Sequence, residues 1–362
     1  MRALVVERPG ALMVRELPDA PLGPGMACVD TRFSGVSLGT ELTWFRGTNP
    51  MQNRRWDAEL GLFLPAAPVD PYPVTKLGYM SVGTVTASRT PAVREGQLVA
   101  MTYGHRSGHT ADPLQERFVG LPDDFDPLLG VFVAHMGPIC ANGLLHAASD
   151  LMGATVRDLG DGVADRQVVV TGAGVVGLLT ALFARHHGAA DVLIVDSSPQ
   201  RLDVAAALGF DTVTDVAPDS DAALAVKQRW AHGPGDRGAS VVFQCRGQAS
   251  ALATALRCAR PQGVVVDLAF YSAGAEEVRL GEEFHHNGLA LRCAQIGRVP
   301  RGLAASWDRE RLSHATIDLL RAEGDRIRQH LVTDVVTFDD APTLFAEVSQ
   351  RRRHVVGAVL VP

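Results

Sequence analysis

Several things are missing from this 362-residue sequence, and each absence removes a class of answers. No stretch approaches the ~20 consecutive apolar residues that a membrane-spanning helix needs, so no membrane partner is expected. The opening residues, MRALVVERPG, read directly as a strand and a turn with no signal-peptide core, which points to the cytoplasm. Cysteine is scarce and scattered: Cys28, Cys140, Cys245, Cys258 and Cys293 form no C-x-x-C pair. That usage fits a reducing compartment and excludes a closely spaced four-cysteine zinc site. No basic run suits a phosphate backbone either. The formal charge is −6, the pI is near 6.0, and Arg351-Arg352-Arg353 is short and reads as a solvated helix end. Nucleic acid is therefore not an expected partner.

What is present allows two domains, each with its own core. The chain is organised around VVVTGAGVVGLLTALFARHHGAADVLIVD, residues 168–196. Val168–Val170 read as a buried strand, Leu178–His187 as a helix, and Val192–Val195 as a second strand ending in Asp196. Between them Gly172, Gly174 and Gly177 form G-x-G-x-x-G around Val175 and Val176. The first glycine permits a tight turn, the second lets a pyrophosphate approach the backbone, and the third lets helix and strand pack closely. The helix N-terminus offers unpaired N–H groups to phosphate. Asp196 lies 19 residues beyond Gly177, where a carboxylate accepts hydrogen bonds from an adenosine ribose. A glycine triplet alone marks only a turn; strand, helix, strand and acid in register indicate a dinucleotide. A free ribose diol suits Asp196 and a 2′-phosphate does not, so NAD(H) is the expected cofactor. Arg201 and Ser197-Ser198 leave NADP(H) open.

Upstream of this unit the chain reads as short strands with Gly/Pro turns: Ala3–Glu7, Leu12–Glu16, Ala27–Phe33, then 77–88 and 93–104. The proline-rich stretch 48–76, with Pro50, Pro65, Pro68, Pro71 and Pro73, is too long for a simple connector and is expected to cover something. Residues 132–151 change to a helical period. Downstream, helices are expected at Arg201–Leu208, Ala222–Trp230 and Gln248–Ala259. They alternate with strands at Ser240–Cys245, Gly263–Leu268 and Leu289–Ile296, the pattern of a parallel doubly wound sheet. Leu312–Ala322 and Ala341–Val348 read as helices, and 355–361 as a closing strand.

The order β-rich lobe, nucleotide-binding α/β domain and C-terminal return resembles the medium-chain dehydrogenase/reductase superfamily. The resemblance rests on Gly39-Thr40-Glu41, GYMSVGTV (78–85), VREGQLVA (93–100), GAGVVG and VTFDDAPTLFAEV (336–348). It implies an α/β fold: a GroES-like β-rich catalytic domain over 1–140 and 312–362, and a Rossmann domain over 141–311. It also implies that the cofactor lies in the cleft between lobes, and that two copies pair through the last sheet strand, here Leu289–Ile296. In zinc members a cysteine ligand precedes G-T-D and a histidine ligand follows the glycine of G-H-E. Here Leu38 stands in the first frame and Gly78-Tyr79-Met80 in the second. Cys140 matches a third ligand position, but one thiol does not make a catalytic zinc site, and 103–118 holds no cysteine for a structural one. The reading is a zinc-free member with no metal site. His105 and His109, four apart, leave a histidine-based site open in principle, although GHRSGH reads more simply as a polar loop.

Without zinc, a hydrogen-bond donor or a general acid/base must manage the proton and charge on the substrate oxygen. Tyr79, in a ligand frame, is the first such residue, against the plain reading of a tyrosine packed on the β-lobe. Thr40 falls where the family often places a proton-relaying hydroxyl; the relay histidine three residues later is Thr43 here, and Glu41 is expected to fix the loop. His135, read as immediately before the domain-crossing helix, is the second acid/base, against the reading of a satisfied helix-start histidine. Tyr103, His105, His109 and Asn142 complete a polar set, and Arg46, Asn49, Arg54, Arg55 and Arg106 suit a polar or anionic substrate. GVSLGTE with GYMSVG resembles a subgroup that includes the hydroxyethyl-oxidising dehydrogenase of bacteriochlorophyll synthesis. The expected activity is NAD(H)-dependent interconversion of a secondary alcohol and a ketone on a polar small molecule. An NAD(P)H-dependent enoyl or quinone reductase and a non-catalytic nucleotide-binding protein are the alternatives.

Overall fold

Apolar strands that are buried on both faces belong at the centre of a parallel sheet, and the run Val168–Val170, fully buried, takes that place. A computed structural model describes residues 1–52, 54–65, 70–216 and 221–362, which form two units: Met1–Ala134 with Thr333–Pro362, and His135–Val332.

In the second unit six strands form one sheet, ordered Asp211–Thr214, Asp191–Asp196, Gln167–Thr171, Ala239–Gln244, Ala259–Asp267, Ala290–Cys293. Every pairing is parallel. This is the doubly wound order of a Rossmann sheet, whose direction of winding reverses between Gln167–Thr171 and Ala239–Gln244. The strand Asp211–Thr214 escaped the sequence reading because its four residues carry one strongly apolar side chain, Val213, and are only half-buried. The helix Met136–Met152 packs so closely on helix Arg309–Arg326 that a Cβ at Gly137 would lie 2.1 Å from Thr316 Cγ2. That contact ties Arg309–Arg326 to the second unit, so the sequence division at 311/312 falls inside a helix whose buried face, including Leu312, Thr316 and Leu320, belongs here.

The first unit is mostly β. Its seven-stranded sheet runs Val332–Thr337, Gly357–Val361, Ala27–Val36, Ser81–Ser88, Leu98–Met101, Phe118–Gly120, with Gly108–Ala111 also on Ala27–Val36. A separate hairpin joins Arg2–Arg8 to Ala11–Glu16. The segment after Val36, given no element from sequence, is a helix, Leu38–Arg46. It ends at Gly47, whose φ of +72° is left-handed and whose added Cβ would meet Pro9 Cγ at 2.9 Å. The helix buries Leu42 and Phe45 against Leu4, Phe338, Leu344 and Phe345, with the Phe45 and Phe345 rings edge-to-face at 5.8 Å. Within 48–76 lies a small hairpin, Arg54–Asp57 with Leu62–Pro65, whose Trp56 and Phe63 rings pack at a tilt with centroids 4.9 Å apart. Pro68 lies outside the described residues. Among the described residues no helix is long and apolar enough to cross a membrane.

Phe345 is fully buried in that cluster. Phe345→Ala is expected to destabilise the first unit by about 3–5 kcal/mol, read from a denaturant midpoint.

Candidate active site

In the first unit polar side chains collect where strand Ala27–Val36 runs into helix Leu38–Arg46. Glu41, one turn into the helix, reaches back so that its Oε1 accepts the Ser37 backbone N–H at 2.7 Å. Its Oε2 meets His105 Nε2 at 2.8 Å, and His105 Nδ1 meets Ser34 Oγ at 2.7 Å. All three side chains are buried: Ser34 is 0% exposed, Glu41 1% and His105 1%. A carboxylate taken out of water needs donors, and the helix start and the imidazole provide them. Gly78 lies against that ring: its φ is +89°, and a Cβ there would sit 2.7 Å from His105 Nε2. The polar-loop reading of GHRSGH fails at His105, because Gly78 and Glu41, distant in sequence, enclose it.

Ser37 stands at the helix N-cap but makes no side-chain cap; its hydroxyl accepts a hydrogen bond from the Tyr79 phenol instead. Tyr79 Oη also lies 3.4 Å from Thr40 Oγ1. Burial pushes the Tyr79 phenol above its usual range; the bonds to Ser37 and Thr40 draw it partly back, and the charge of Glu41 pushes it up again. Tyr79 and Thr40 are thus brought together through Ser37, which sequence reasoning passed over. Thr43 donates to the Thr40 carbonyl at 2.6 Å and accepts from Asn49 Nδ2 at 2.8 Å, so it braces the helix. His109 pairs with Glu116 at 2.8 Å and stacks on Tyr103 at 4.3 Å, and Tyr103 Oη bonds Thr31 Oγ1 at 2.5 Å. Arg46 bonds Ser349, Arg55 pairs with Asp57 at 3.5 Å, and Arg106 reaches the Thr75 carbonyl at 3.5 Å. Arg54 is exposed on the small hairpin.

In the second unit Gly172 has a φ of +105°, and a Cβ on Gly177 would lie 1.7 Å from the Gly172 carbonyl oxygen. Gly174 caps helix Val175–His186, so the N–H groups of Val175, Val176 and Gly177 belong to the first turn and have no intrahelical acceptor. Gly174, Val175 and Val176 are half-exposed. Asp196 is 2% exposed; its Oδ2 accepts the Ala173 N–H at 2.7 Å and its Oδ1 the Ser198 N–H at 2.8 Å. Arg201 is half-buried on helix Pro199–Ala207. His135 is the N-cap of helix Met136–Met152, and its Nδ1 accepts from Arg309 Nη2 at 2.9 Å. Asn142 is buried and donates through Nδ2 to the carbonyls of Ala294, Gln295 and Arg298, tethering the turn after the last strand. Cys140 is buried with its thiol 3.3 Å from the Val176 carbonyl, and burial pushes its pKa up to about 12.

A zinc-binding dehydrogenase family model matches residues 175–306. D-guloside 3-dehydrogenase of Shigella flexneri is 26% identical over 355 residues, covering 96% of this chain and 95% of that protein. Residues 175–306 thus carry the zinc-binding dehydrogenase family's pattern, and over nearly its whole length the chain is similar to a medium-chain sugar dehydrogenase. Its fold matches galactitol-1-phosphate dehydrogenase of Escherichia coli with a TM-score of 0.75 at 16% identity, each chain covered completely. A structure described as a short chain alcohol dehydrogenase of Escherichia coli CFT073, complexed with NADH, matches at a TM-score of 0.71 and 15% identity over 100% of this chain and 99% of that one. With that match and that relative, the protein is an oxidoreductase.

Glu41→Ala leaves His105 and the Ser37 N–H without their partner, and is expected to cost about 3–5 kcal/mol in thermal or denaturant unfolding. Cys140, with its pKa near 12, is expected to resist iodoacetamide at pH 8 while exposed Cys293 reacts; mass-resolved labelling rates check this.

Proposed function

We propose that this chain is a cytoplasmic, zinc-independent, NAD(H)-dependent oxidoreductase that interconverts a secondary alcohol and a ketone on a polar small molecule such as a sugar, cyclitol or specialised-metabolite intermediate. The observation that carries this reading is the hydroxyl cluster of Tyr79, Ser37 and Thr40, built in the frames where zinc-dependent members hold ligands. The relatives named for a guloside and for galactitol 1-phosphate support a sugar- or polyol-like substrate.

A catalytic zinc requires about three protein ligands and an open position. The donors here do not fit one. Leu38 offers no ligand atom and Met80 only a neutral thioether, and both ring nitrogens of His105 are engaged. The Cys140 thiol is buried and held far from ionisation. Among the described residues no three His, Cys, Asp or Glu side chains gather as a metal would need.

The glycine turn is the cofactor seat in this reading. Gly172, Gly174, Val175, Val176 and Gly177 present backbone to a diphosphate, and Asp196 and Arg201 flank the adenosine ribose. A carboxylate at Asp196 favours NAD(H) over NADP(H), and the NADH-bound neighbour supports a nicotinamide cofactor. Nicotinamide supplies or accepts the hydride when bound. The chain handles the proton. Tyr79, kept protonated by its raised pKa, donates to the oxygen that becomes an alkoxide as a ketone is reduced. Ser37 and Thr40 hold the phenol in place, Ser37 Oγ accepting its proton until a substrate oxygen takes Ser37's place as acceptor; His135 is the second proton-handling group. We also propose that two copies pair along the edge strand Ala290–Cys293, where Leu291 is 40% exposed.

Supplying NADH with polyol-derived ketones and, separately, with enones tests the reaction; turnover confined to enones would overturn the alcohol–ketone reading. Tyr79→Phe is expected to lower kcat for ketone reduction by about 10²–10⁴-fold. Because the protonated phenol is the active form and its pKa is raised, reduction should hold level up to about pH 10 and fall only above it. A fall near pH 7–8 that Tyr79→Phe abolishes would contradict the direction of that shift. Leu291→Asp is expected to yield monomers by light scattering.

A further inference from the structure

Large apolar side chains collect at one place on the surface of the first unit. Met51, Trp56, Leu60, Leu62 and Phe63 are all exposed, on and beside the hairpin Arg54–Asp57 with Leu62–Pro65. One exposed apolar side chain is ordinary, whereas a run of them marks an interaction surface. We propose that this hairpin docks on the same hairpin of a second copy of the chain, the two Arg54–Asp57 strands lying edge to edge about a two-fold axis.

A two-stranded hairpin is marginal by itself and needs a third strand or a packed face. Among the described residues this one pairs with no other strand. Its root is nevertheless fixed. Gln52 Nε2 donates to Tyr72 Oη at 3.2 Å, and Tyr72 Oη donates to the Trp44 carbonyl at 2.5 Å, near the end of helix Leu38–Arg46. The register sets Trp56 opposite Phe63 and Arg54 opposite Pro65 on one face, with Arg55 opposite Leu64 and Asp57 opposite Leu62 on the other. Both half-buried members, Asp57 and Leu64, lie on the second face. The first face, with Trp56 45% and Phe63 47% exposed, is turned to solvent.

The two outer edges differ in what they can accept. Strand Leu62–Pro65 carries no charge and ends in a proline, which has no N–H for a ladder. Strand Arg54–Asp57 has neither limitation, and its sequence is complementary to itself. Two copies running antiparallel about an axis at Trp56 set Arg55 opposite Asp57 of the second copy, and a two-fold contact repeats that pairing. On the aromatic face the cross-strand order becomes Phe63, Trp56, Trp56, Phe63, a row of four rings on a four-stranded sheet. The charges are free to make this exchange. Within one strand Arg55 Nη2 lies 3.5 Å from Asp57 Oδ2, with the arginine side chain 65% exposed, a loose surface pair of small worth. Arg54 and Arg55 are balanced by Asp57 and Glu59, so the arm has no net charge to draw it to an anionic lipid surface. Self-pairing calls for such a balance.

The test follows mass against concentration by sedimentation equilibrium, in chains carrying Leu291→Asp so that the strand contact proposed above is out of play. Two short strands and their rings cover less than the ~800 Å² per partner of a standard interface, so the pair is transient, populated at high concentration and absent at the dilution of light scattering. With the native hairpin the weight-average mass is expected to rise from 38.5 kDa towards twice that value between about 1 μM and about 200 μM. Arg55→Asp and Asp57→Arg are each expected to abolish the rise, because each sets like charges opposite one another. An equimolar mixture of the two is expected to restore it, because every facing pair is then opposite in sign. A native hairpin that stays at one mass throughout, or a mixture of folded variants no heavier than its components, overturns the proposal. A flat mass together with a KM for the ketone raised by Trp56→Ala gives the face to the substrate and overturns it as well. The native-hairpin series decides even if a variant does not fold.

Discussion

A carboxylate withdrawn from water must be met by donors, and that requirement shapes both units of this protein. In the first, Glu41 is answered by the Ser37 N–H and by His105, which fixes the start of helix Leu38–Arg46 against a loop segment 64 residues away in sequence. In the second, Asp196 is answered by the N–H groups of Ala173 and Ser198, which locks the glycine turn onto the neighbouring strand end. Each acid acts as a fastener for the loop proposed to carry the chemistry. Tyr79 and Thr40 are held near one another because Glu41 has already fixed Ser37; the backbone of the glycine turn keeps its curvature because Asp196 holds Ala173.

The two units differ in how much of this could be read from residues alone. Gly172, Gly174, Gly177 and Asp196 lie within one strand–helix–strand unit, so their spacing carries the information, and the parallel sheet followed from the alternation around them. The first unit was legible as β-rich but not in its working parts. Helix Leu38–Arg46 went unseen because its stability comes from Phe45 and Leu42 packing on Phe338 and Phe345, residues some 300 positions later, and not from a strong local signal. His105 looked like part of a polar loop because both its partners, Ser34 and Glu41, lie far away in the chain. Ser37, which connects Tyr79 to the helix, lies within GVSLGTE, but nothing local marks it as the partner of Tyr79.

On the proposed zinc-independent reading, hydroxyl chemistry in place of a metal also changes what has to be rigid. A metal centre draws its ligands into place through strong bonds, whereas a phenol must be positioned by packing and by the hydrogen bonds of its neighbours. That explains the density of second contacts around Tyr79. Gly78 allows the chain to pass over the His105 ring, Ser34 engages that ring from its other nitrogen, and Thr43 and Asn49 stiffen the helix that presents Thr40.

The return of residues 333–361 to the first unit has a consequence for assembly. Strand Gly357–Val361 is an interior member of that unit's sheet, lying between Val332–Thr337 and Ala27–Val36, and Phe338 and Phe345 complete its core. All of this follows the whole second unit along the chain. A ribosome therefore delivers a complete Rossmann unit while the lobe begun before it still lacks a central strand and two of its core rings, so the part that starts first is the part that finishes last.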